Sequence, residues 1–295
     1  MDLVVKSPRI PAIGETILGG DFIMTPGGKG ANQVVAAAKL GAEVYFIARL
    51  GDDIFAEQSL SNFKKEAVIT KYVTLTREAP SGVALITVDD DGNNVIVVAP
   101  GANQKLSPND IKKAESDITS SGALVAQLEI PLETVEFAAQ LANSNGVLFI
   151  LDPAPAQKLS PELLKMVDVL TPNETEAQIL TGIEVTDEES ARTAAIKLLD
   201  YGIKSVILTL GSKGFLLADN DRMEFVPAIK VTAVDSTAAG DAFTGSLAVG
   251  LANGKTLYDS AVYANYVAAL SVTKMGAQSS MPTSEEVEKF IKTNN

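Results

Sequence analysis

Between Val234 and Gly245 the chain reads Val-Asp-Ser-Thr-Ala-Ala-Gly-Asp-Ala-Phe-Thr-Gly, a strand end, a turn of small residues and a helix start. Ala238, Ala239 and Gly240 leave backbone N–H groups uncovered where that helix begins. A helix N-terminus favours an anion through its unpaired donors and its dipole, so this is a phosphate site in outline. Asp241 stands at its mouth. A carboxylate there is badly placed to hold phosphate but well placed to take a proton from an attacking hydroxyl. An Asp N-cap accounts for the residue equally well, and both readings stay open.

Composition narrows the chemistry. The 295 residues contain neither cysteine nor histidine, which excludes a disulfide framework, thiolate catalysis and the usual zinc ligands. Any general base is a carboxylate or a lysine. The formal net charge of −13 argues against nucleic acid or an anionic membrane as partner. With 46% hydrophobic and 21% charged residues the chain reads as an ordinary globular domain with a sizeable core. No apolar run is long enough for a transmembrane helix and no signal-peptide pattern is present, so a cytoplasmic location is expected.

The elements that must position Asp241 follow from periodicity. Thr25-Pro26-Gly27-Gly28-Lys29-Gly30-Ala31-Asn32-Gln33 precedes an alanine-rich helix ending near Leu40-Gly41. Its glycines would admit a ligand close to the backbone, or serve only as a flexible turn. Lys29 is followed by glycine rather than Ser or Thr, which excludes a Walker A loop, and the spacing after Gly30 excludes a dinucleotide fingerprint. A strand is expected at 44–48 and a helix from Gly51-Asp52-Asp53. Residues 82–99 alternate around Asp89-Asp90-Asp91-Gly92-Asn93-Asn94 and read as a β-hairpin, inserted as a lid. Its three aspartates match no calcium loop and read as a solvated turn.

From Ala123 onward short apolar strands (123–128, 147–151, 167–170, 205–210) alternate with helices (132–143, near 161, from 173). This predicts a parallel sheet covered on both faces, with ligands beyond the carboxyl ends of the strands. Polar residues stand at those ends: Gln127 and Glu129, Asp152, Asn173 with Glu174 and Glu176, Thr209 with Gly211, and Asp235 with Asp241. Asn173 and Glu176 have the spacing of a helix capping box; a hydrated magnesium ion is the alternative. Helices at 241 to about 253, 256 to about 274 and from 283 complete the chain.

Taken together, Gly-Gly-Lys-Gly-Ala-Asn at 27–32, Gly51-Asp52-Asp53, Gln127-Leu128-Glu129, Asn173-Glu174-Thr175-Glu176, Thr209-Leu210-Gly211-Ser212-Lys213-Gly214 and Ala238-Ala239-Gly240-Asp241 resemble the PfkB family of sugar kinases, most closely its ribokinase branch. The resemblance covers nearly the whole chain. It implies an α/β fold with three α/β/α layers, a mostly parallel central sheet and a small β-sheet lid formed by about 3–25 and 82–100, all in one domain, 1–295. It implies that Asp2, Gly28, Lys29, Asn32 and Glu129 face the sugar, with Asp241 as base and the turn Ala238, Ala239, Gly240 around the γ-phosphate of ATP. Magnesium would sit near Asn173 and Glu176, and Thr209, Gly211, Ser212, Gly214 and Asn265 would line the nucleotide pocket together with Asn173 and Gly240. A potassium ion would lie at Asp235, Thr237, Ser271, Lys274, Gly276 and Ser280. The implied reaction is ATP-dependent phosphorylation of D-ribose on its 5-hydroxyl, with deoxyribose, fructose or a nucleoside as rival acceptors. A non-catalytic nucleotide- or sugar-binding remnant is a rival of another class. The resemblance also implies a homodimer through the lid.

One departure carries an expectation of its own. The family opens with a core strand leading into an Asn-x-Asp sugar motif, and here Met1 occupies the position before Asp2. A central parallel strand left out exposes backbone groups and apolar faces on its neighbours. A shifted strand, a partner chain in the gap or self-association is expected to compensate.

Overall fold

The computed structural model describes residues 1–294. In chain order the elements are β1 (Asp2–Lys6), β2 (Phe22–Thr25), α1 (Lys29–Lys39), β3 (Tyr45–Gly51), α2 (Ile54–Lys65), β4 (Ile69–Thr76), β5 (Val83–Val88) and β6 (Asn94–Ala99). Then follow α3 (Pro108–Lys113), α4 (Glu115–Thr119), β7 (Ala123–Ala126), α5 (Leu132–Ser144), β8 (Leu148–Leu151), α6 (Pro161–Leu164), β9 (Val169–Leu170), α7 (Glu174–Thr181) and α8 (Glu188–Asp200). The last are β10 (Ser205–Thr209), β11 (Gly214–Asp219), β12 (Met223–Pro227), α9 (Ala239–Ala252), α10 (Leu257–Ser271) and α11 (Ser284–Asn294).

Local chemistry sets the helix starts. Asp53 caps α2 by accepting from the Ala56 N–H at 3.0 Å. Asn173 and Glu176 form a reciprocal capping box on α7, and Asp187 with Ser190 does the same on α8. The three layers follow from strand alternation. Phe149, Leu151, Leu170, Val206 and Leu208 pack on one side against Val135 and Ala139 of α5 and Ala194 and Leu198 of α8. Ile150, Val169 and Ile207 point the other way, onto Phe243 and Leu247 of α9 and Ala261 and Ala264 of α10. Strands buried on both faces need helices on both faces.

The main sheet has the order β12-β11-β10-β9-β8-β7, parallel from β7 to β10 and antiparallel beyond. It differs from one continuous sheet in a specific place. The β3–β4 ladder stands apart as a two-stranded parallel sheet, although Ile47 of β3 and Leu124 of β7 pack on the same cluster around Ile111 and Ile118. Among the described residues no strand joins β3 to β7. The expected shifted strand does not fill that place: β1 pairs with β2 and β5 in a separate four-stranded sheet of order β2-β1-β5-β6.

Helix α9 is apolar almost all round because it is packed between α1 and α10. Gly245 allows the close approach of α1. A Cβ there would stand 2.6 Å from the Gln33 carbonyl oxygen and 3.0 Å from the Ala36 Cβ. Gly245→Ala is therefore expected to lower stability by about 1–3 kcal/mol, read as the shift of the urea midpoint. An unchanged midpoint contradicts this packing.

Candidate active site

The carboxyl ends of β7, β8, β9 and β10 lie along one edge, and the N-termini of α1 and α9 meet them there. An isolated parallel bridge between Asn173 and Thr209 extends the β9–β10 pairing into this edge. The N-cap of helix α1 is Gly28, whose φ of 94° suits glycine and which offers no capping side chain. The cap comes from elsewhere: the Lys29 N–H donates to Glu129 Oε2 at 3.0 Å. A carboxylate at a helix N-terminus also suits the dipole. Gly27 makes room for Asp2, since a Cβ there would overlap its carboxylate.

Asp241 is not the N-cap of α9. That position belongs to Ala238, in the left-handed region at φ 60°, and Asp241 stands in the first turn. The capping reading of Asp241 is thereby corrected. Its carboxylate points inward instead, where Oδ2 accepts from Asn32 Nδ2 at 2.8 Å and Oδ1 from Gln33 Nε2 at 3.1 Å. Gly240 is exposed above it, and a Cβ on Gly240 would meet nothing within 4 Å. Open space thus lies over the first turn, where the Ala239 N–H donates to the Ser236 carbonyl at 3.2 Å and the Gly240 and Asp241 N–H groups have no acceptor within the helix.

Electrostatics tie the group together. Burial pushes Asp241 above the usual carboxylate range, against the Lys29 ammonium and the two amide donors, which pull it down. Burial raises Asp2, Glu129 and Glu176 in the same way, and drives Asp152 up to about 8. For Lys29 burial acts downward, but the charges of Asp152, Asp241, Glu176 and Glu129 outweigh it and hold the ammonium protonated. Asn32 Oδ1 is a buried acceptor without a partner, on the side chain whose Nδ2 donates to Asp241. An orphan of that kind is costly unless a ligand donor, such as a hydroxyl, completes it.

The sign of the pH dependence follows. A carboxylate raised in the folded state binds its proton more tightly there than in the unfolded chain. Its contribution to stability is full below the ordinary value near 4 and is lost as pH rises through the folded value, about 8 for Asp152. Melting temperatures are expected to fall across that window, and Asp152→Asn to flatten the fall. An equal slope in the variant contradicts the assignment.

Asp2, Gly28, Lys29, Asn32, Glu129 and Asp241 thus meet in one place. Glu176 faces it electrostatically, while Asn173 shares its capping box through Asn173 N–H to Glu176 Oε2 at 2.9 Å and Glu176 N–H to Asn173 Oδ1 at 2.8 Å. Among the described residues no cluster of three metal-capable side chains occurs. A hydrated magnesium ion between phosphates needs only one or two protein oxygens, so the Asn173–Glu176 pair suffices. Asp89 accepts from the N–H groups of Asp91 and Asn93 in an exposed turn.

Of the residues expected at a nucleotide, Gly211 and Ser212 are exposed beside Thr209. Gly214 and Asn265 have structural partners: a Cβ on Gly214 would sit 2.0 Å from the Val226 carbonyl, and Asn265 Nδ2 donates to the Pro227 carbonyl at 2.8 Å. Asp235, Thr237 and Gly276 meet through the Asp235 carboxylate, which accepts from Thr237 N–H and Oγ1 and from Gly276 N–H. The Ser271 and Ser280 hydroxyls bond to carbonyls in their own turns, and Lys274 Nζ pairs with Glu286. Two residues named in the sequence, Gln33 at the end of the glycine-rich segment and Asp152 among the polar strand ends, had no role assigned to them there. Gln33 and Asp152 are buried, and Gln33 Nε2 donates to Asp152 Oδ2 at 2.7 Å.

Buried carboxylates gathered at helix N-termini along the carboxyl edge of an α/β/α sheet mark a ligand site. The pfkB family of carbohydrate kinases matches residues 1–284. The chain is 44% identical over 290 residues to a ribokinase of Haemophilus influenzae, covering 98% of this chain and 95% of that one. A deoxyribokinase of Salmonella typhi is 39% identical over 295 residues, covering 100% and 96%. The solved structure of Arabidopsis thaliana ribokinase complexed with ribose and ATP superposes with a TM-score of 0.92 at 34% identity, covering 99% and 95%. The chain belongs to the pfkB family of carbohydrate kinases. It is a sugar kinase with the α/β/α fold of that family.

Proposed function

We propose that the chain transfers the γ-phosphoryl group of ATP to the 5-hydroxyl of D-ribose, with Asp241 as general base. The observation that carries this reading is the buried Asp241 carboxylate, held by Asn32 and Gln33 below open helix N–H groups. The base accepts the hydroxyl proton as the oxygen attacks phosphorus, and the turn at Ala238, Ala239 and Gly240 receives the developing charge. Asn32 Oδ1, Glu129, Asp2 and Lys29 present acceptors and one cation to the other hydroxyls. A site built that way discriminates against an acceptor lacking one of them. Glu176 with Asn173 would hold magnesium, which supplies charge neutralisation between the phosphates. Thr209, Gly211 and Ser212 would flank the nucleotide. Potassium is assigned by resemblance to the loops around Asp235, Thr237, Ser271, Lys274, Gly276 and Ser280.

The four-stranded sheet fits the role of a lid. Register places Leu3, Val5, Phe22, Met24, Leu85, Val95 and Val97 on one face and Asp2 on the other, toward the site. Phe22, Met24, Leu85, Val95 and Val97 are exposed. So large an apolar face, beside the open edge of β6, fits pairing of two lids in a homodimer. Light scattering is expected to give twice the mass of one chain, and Val97→Asp to halve it. A wild-type monomer contradicts the lid dimer. No helix among the described residues is long and apolar enough to cross a membrane, and ATP as donor with no cysteine suits a cytoplasmic enzyme.

Sugar-dependent ADP release tests the acceptor. D-ribose is expected to give the highest kcat/KM, above 2-deoxy-D-ribose and D-fructose. A preference for deoxyribose moves the assignment to the deoxyribokinase-like reading, and nucleotide binding without turnover on any sugar overturns catalysis.

A further inference from the structure

The hydrogen-bond network behind Asp241 reaches further than phosphoryl transfer itself requires. Gln33 Nε2 serves two carboxylates, Asp152 Oδ2 at 2.7 Å and Asp241 Oδ1 at 3.1 Å, while Gln33 Oε1 accepts from Gln127 Nε2 at 2.6 Å. These partners fix the amide, because in the flipped orientation its carbonyl would face both carboxylates. Asp152 Oδ2 also lies 3.9 Å from Lys29 Nζ. One buried side chain at the end of β8 thereby touches two of the three α1 groups that stabilise the base, Gln33 and Lys29 but not Asn32. The other charged groups around the pair are Glu176, Glu129 and Asp2.

We propose that Asp152 is a positioning residue for Asp241, acting through the Gln33 amide and the Lys29 ammonium. The proposal rests on the reading of Asp241 as the base. Two effects follow. Orientation is the first: the hold on Gln33 aims an N–H at Asp241 Oδ1 and leaves the carboxylate one fixed pose for the incoming hydroxyl. Basicity is the second. The Gln33 N–H that Asp152 holds in place donates to Asp241 Oδ1 and lowers it against burial. Asp152 itself is raised to about 8, by burial first, and so holds the amide as a neutral acceptor at neutral pH. Asp152 needs no contact with sugar or nucleotide to do this.

The test uses the full chain as wild type, Asp152→Asn, Asp152→Ala and Asp241→Asn. Turnover with ATP, magnesium and D-ribose is measured across pH, and the aspartate carboxyls are titrated by NMR in ¹³C-labelled protein without substrate. The Asp241 signal is the one missing from Asp241→Asn. Asp152→Asn keeps an acceptor for Gln33 and is expected to leave the acid limb of kcat/KM in place, because Asp152 is uncharged below about 8. Asp152→Ala releases the Gln33 amide, whose hydrogen bond lowers Asp241, and is expected to move the Asp241 titration up. Asp152→Ala is expected to lose at least about tenfold in kcat with little change in KM for ATP, and Asp152→Asn to restore part of that loss. An Asp241 titration unmoved in Asp152→Ala overturns the proposal, as does a wild-type kcat in that variant. Turnover retained by Asp241→Asn overturns the base assignment instead. The substrate-free titration then still decides whether Asp152 acts on Asp241.

Discussion

Asp241→Asn is expected to lower kcat by about 10²–10⁴-fold while leaving ATP affinity nearly unchanged. The carboxylate accepts from two amide donors, Asn32 Nδ2 and Gln33 Nε2. An asparagine supplies one acceptor and one donor, so one of those contacts becomes donor against donor, and no basic oxygen remains for the hydroxyl proton. Nothing in the substitution reaches Thr209, Gly211 or Ser212, the residues proposed to flank the nucleotide, which is why nucleotide binding serves as the internal control. Calorimetric titration with ADP beside steady-state turnover separates the two. Equal losses in both point to a collapsed site, and retained turnover removes Asp241 from the chemistry.

Lys29→Met is expected to cut kcat/KM by about 10²-fold or more and to move the acid limb of the profile upward. The direction follows from the charges. Lys29 is the cation that holds Asp241 and Asp152 down against burial, so its loss raises both and protonates the base at higher pH. Asp152→Asn leaves the same limb in place, because Asp152 is held up to about 8 by burial and carries no charge there. A limb that moves in one variant and stays in the other is a signature that general destabilisation does not produce. An acid limb unmoved in Lys29→Met contradicts the account of how the base is tuned.

Much of this architecture is legible in local pattern. The alternation of apolar strands with helices from Ala123 onward announces the parallel sheet, and the turn at Asp89–Asn94 announces the β5–β6 hairpin, because both depend on residues close in sequence. The Asn173–Glu176 capping box is equally local, and the magnesium reading of the same pair coexists with it: the capping bonds occupy some carboxylate lone pairs and leave others. Asp241 was the ambiguous case. Its spacing suits a cap, but Ala238 takes that position in a left-handed conformation that its residue type does not advertise. The partners of Asp241 lie beyond any local signal. Gln33 and Asp152 are 119 residues apart, and Gln33 and Asp241 are 208 apart. The packing of α1 on α9, which depends on Gly245, brings Gln33 to Asp241, and the carboxyl end of β8 brings Asp152 to Gln33. Polarity at the end of strand β8 was the one available hint of Asp152. The separation of β3–β4 from the main sheet was likewise invisible to periodicity, since β3 and β7 each carry an ordinary strand pattern.

The most direct test of the central claim is the position of the phosphate in the product. Wild-type protein is incubated with ATP, magnesium, potassium and D-ribose, and the reaction is followed by proton-coupled ³¹P NMR. The account predicts ribose-dependent ADP formation with a new monoester resonance split by the two protons of a primary carbon, as phosphorylation of the 5-hydroxyl requires. ADP formation that ignores ribose, or a monoester coupled to a single ring proton, contradicts it.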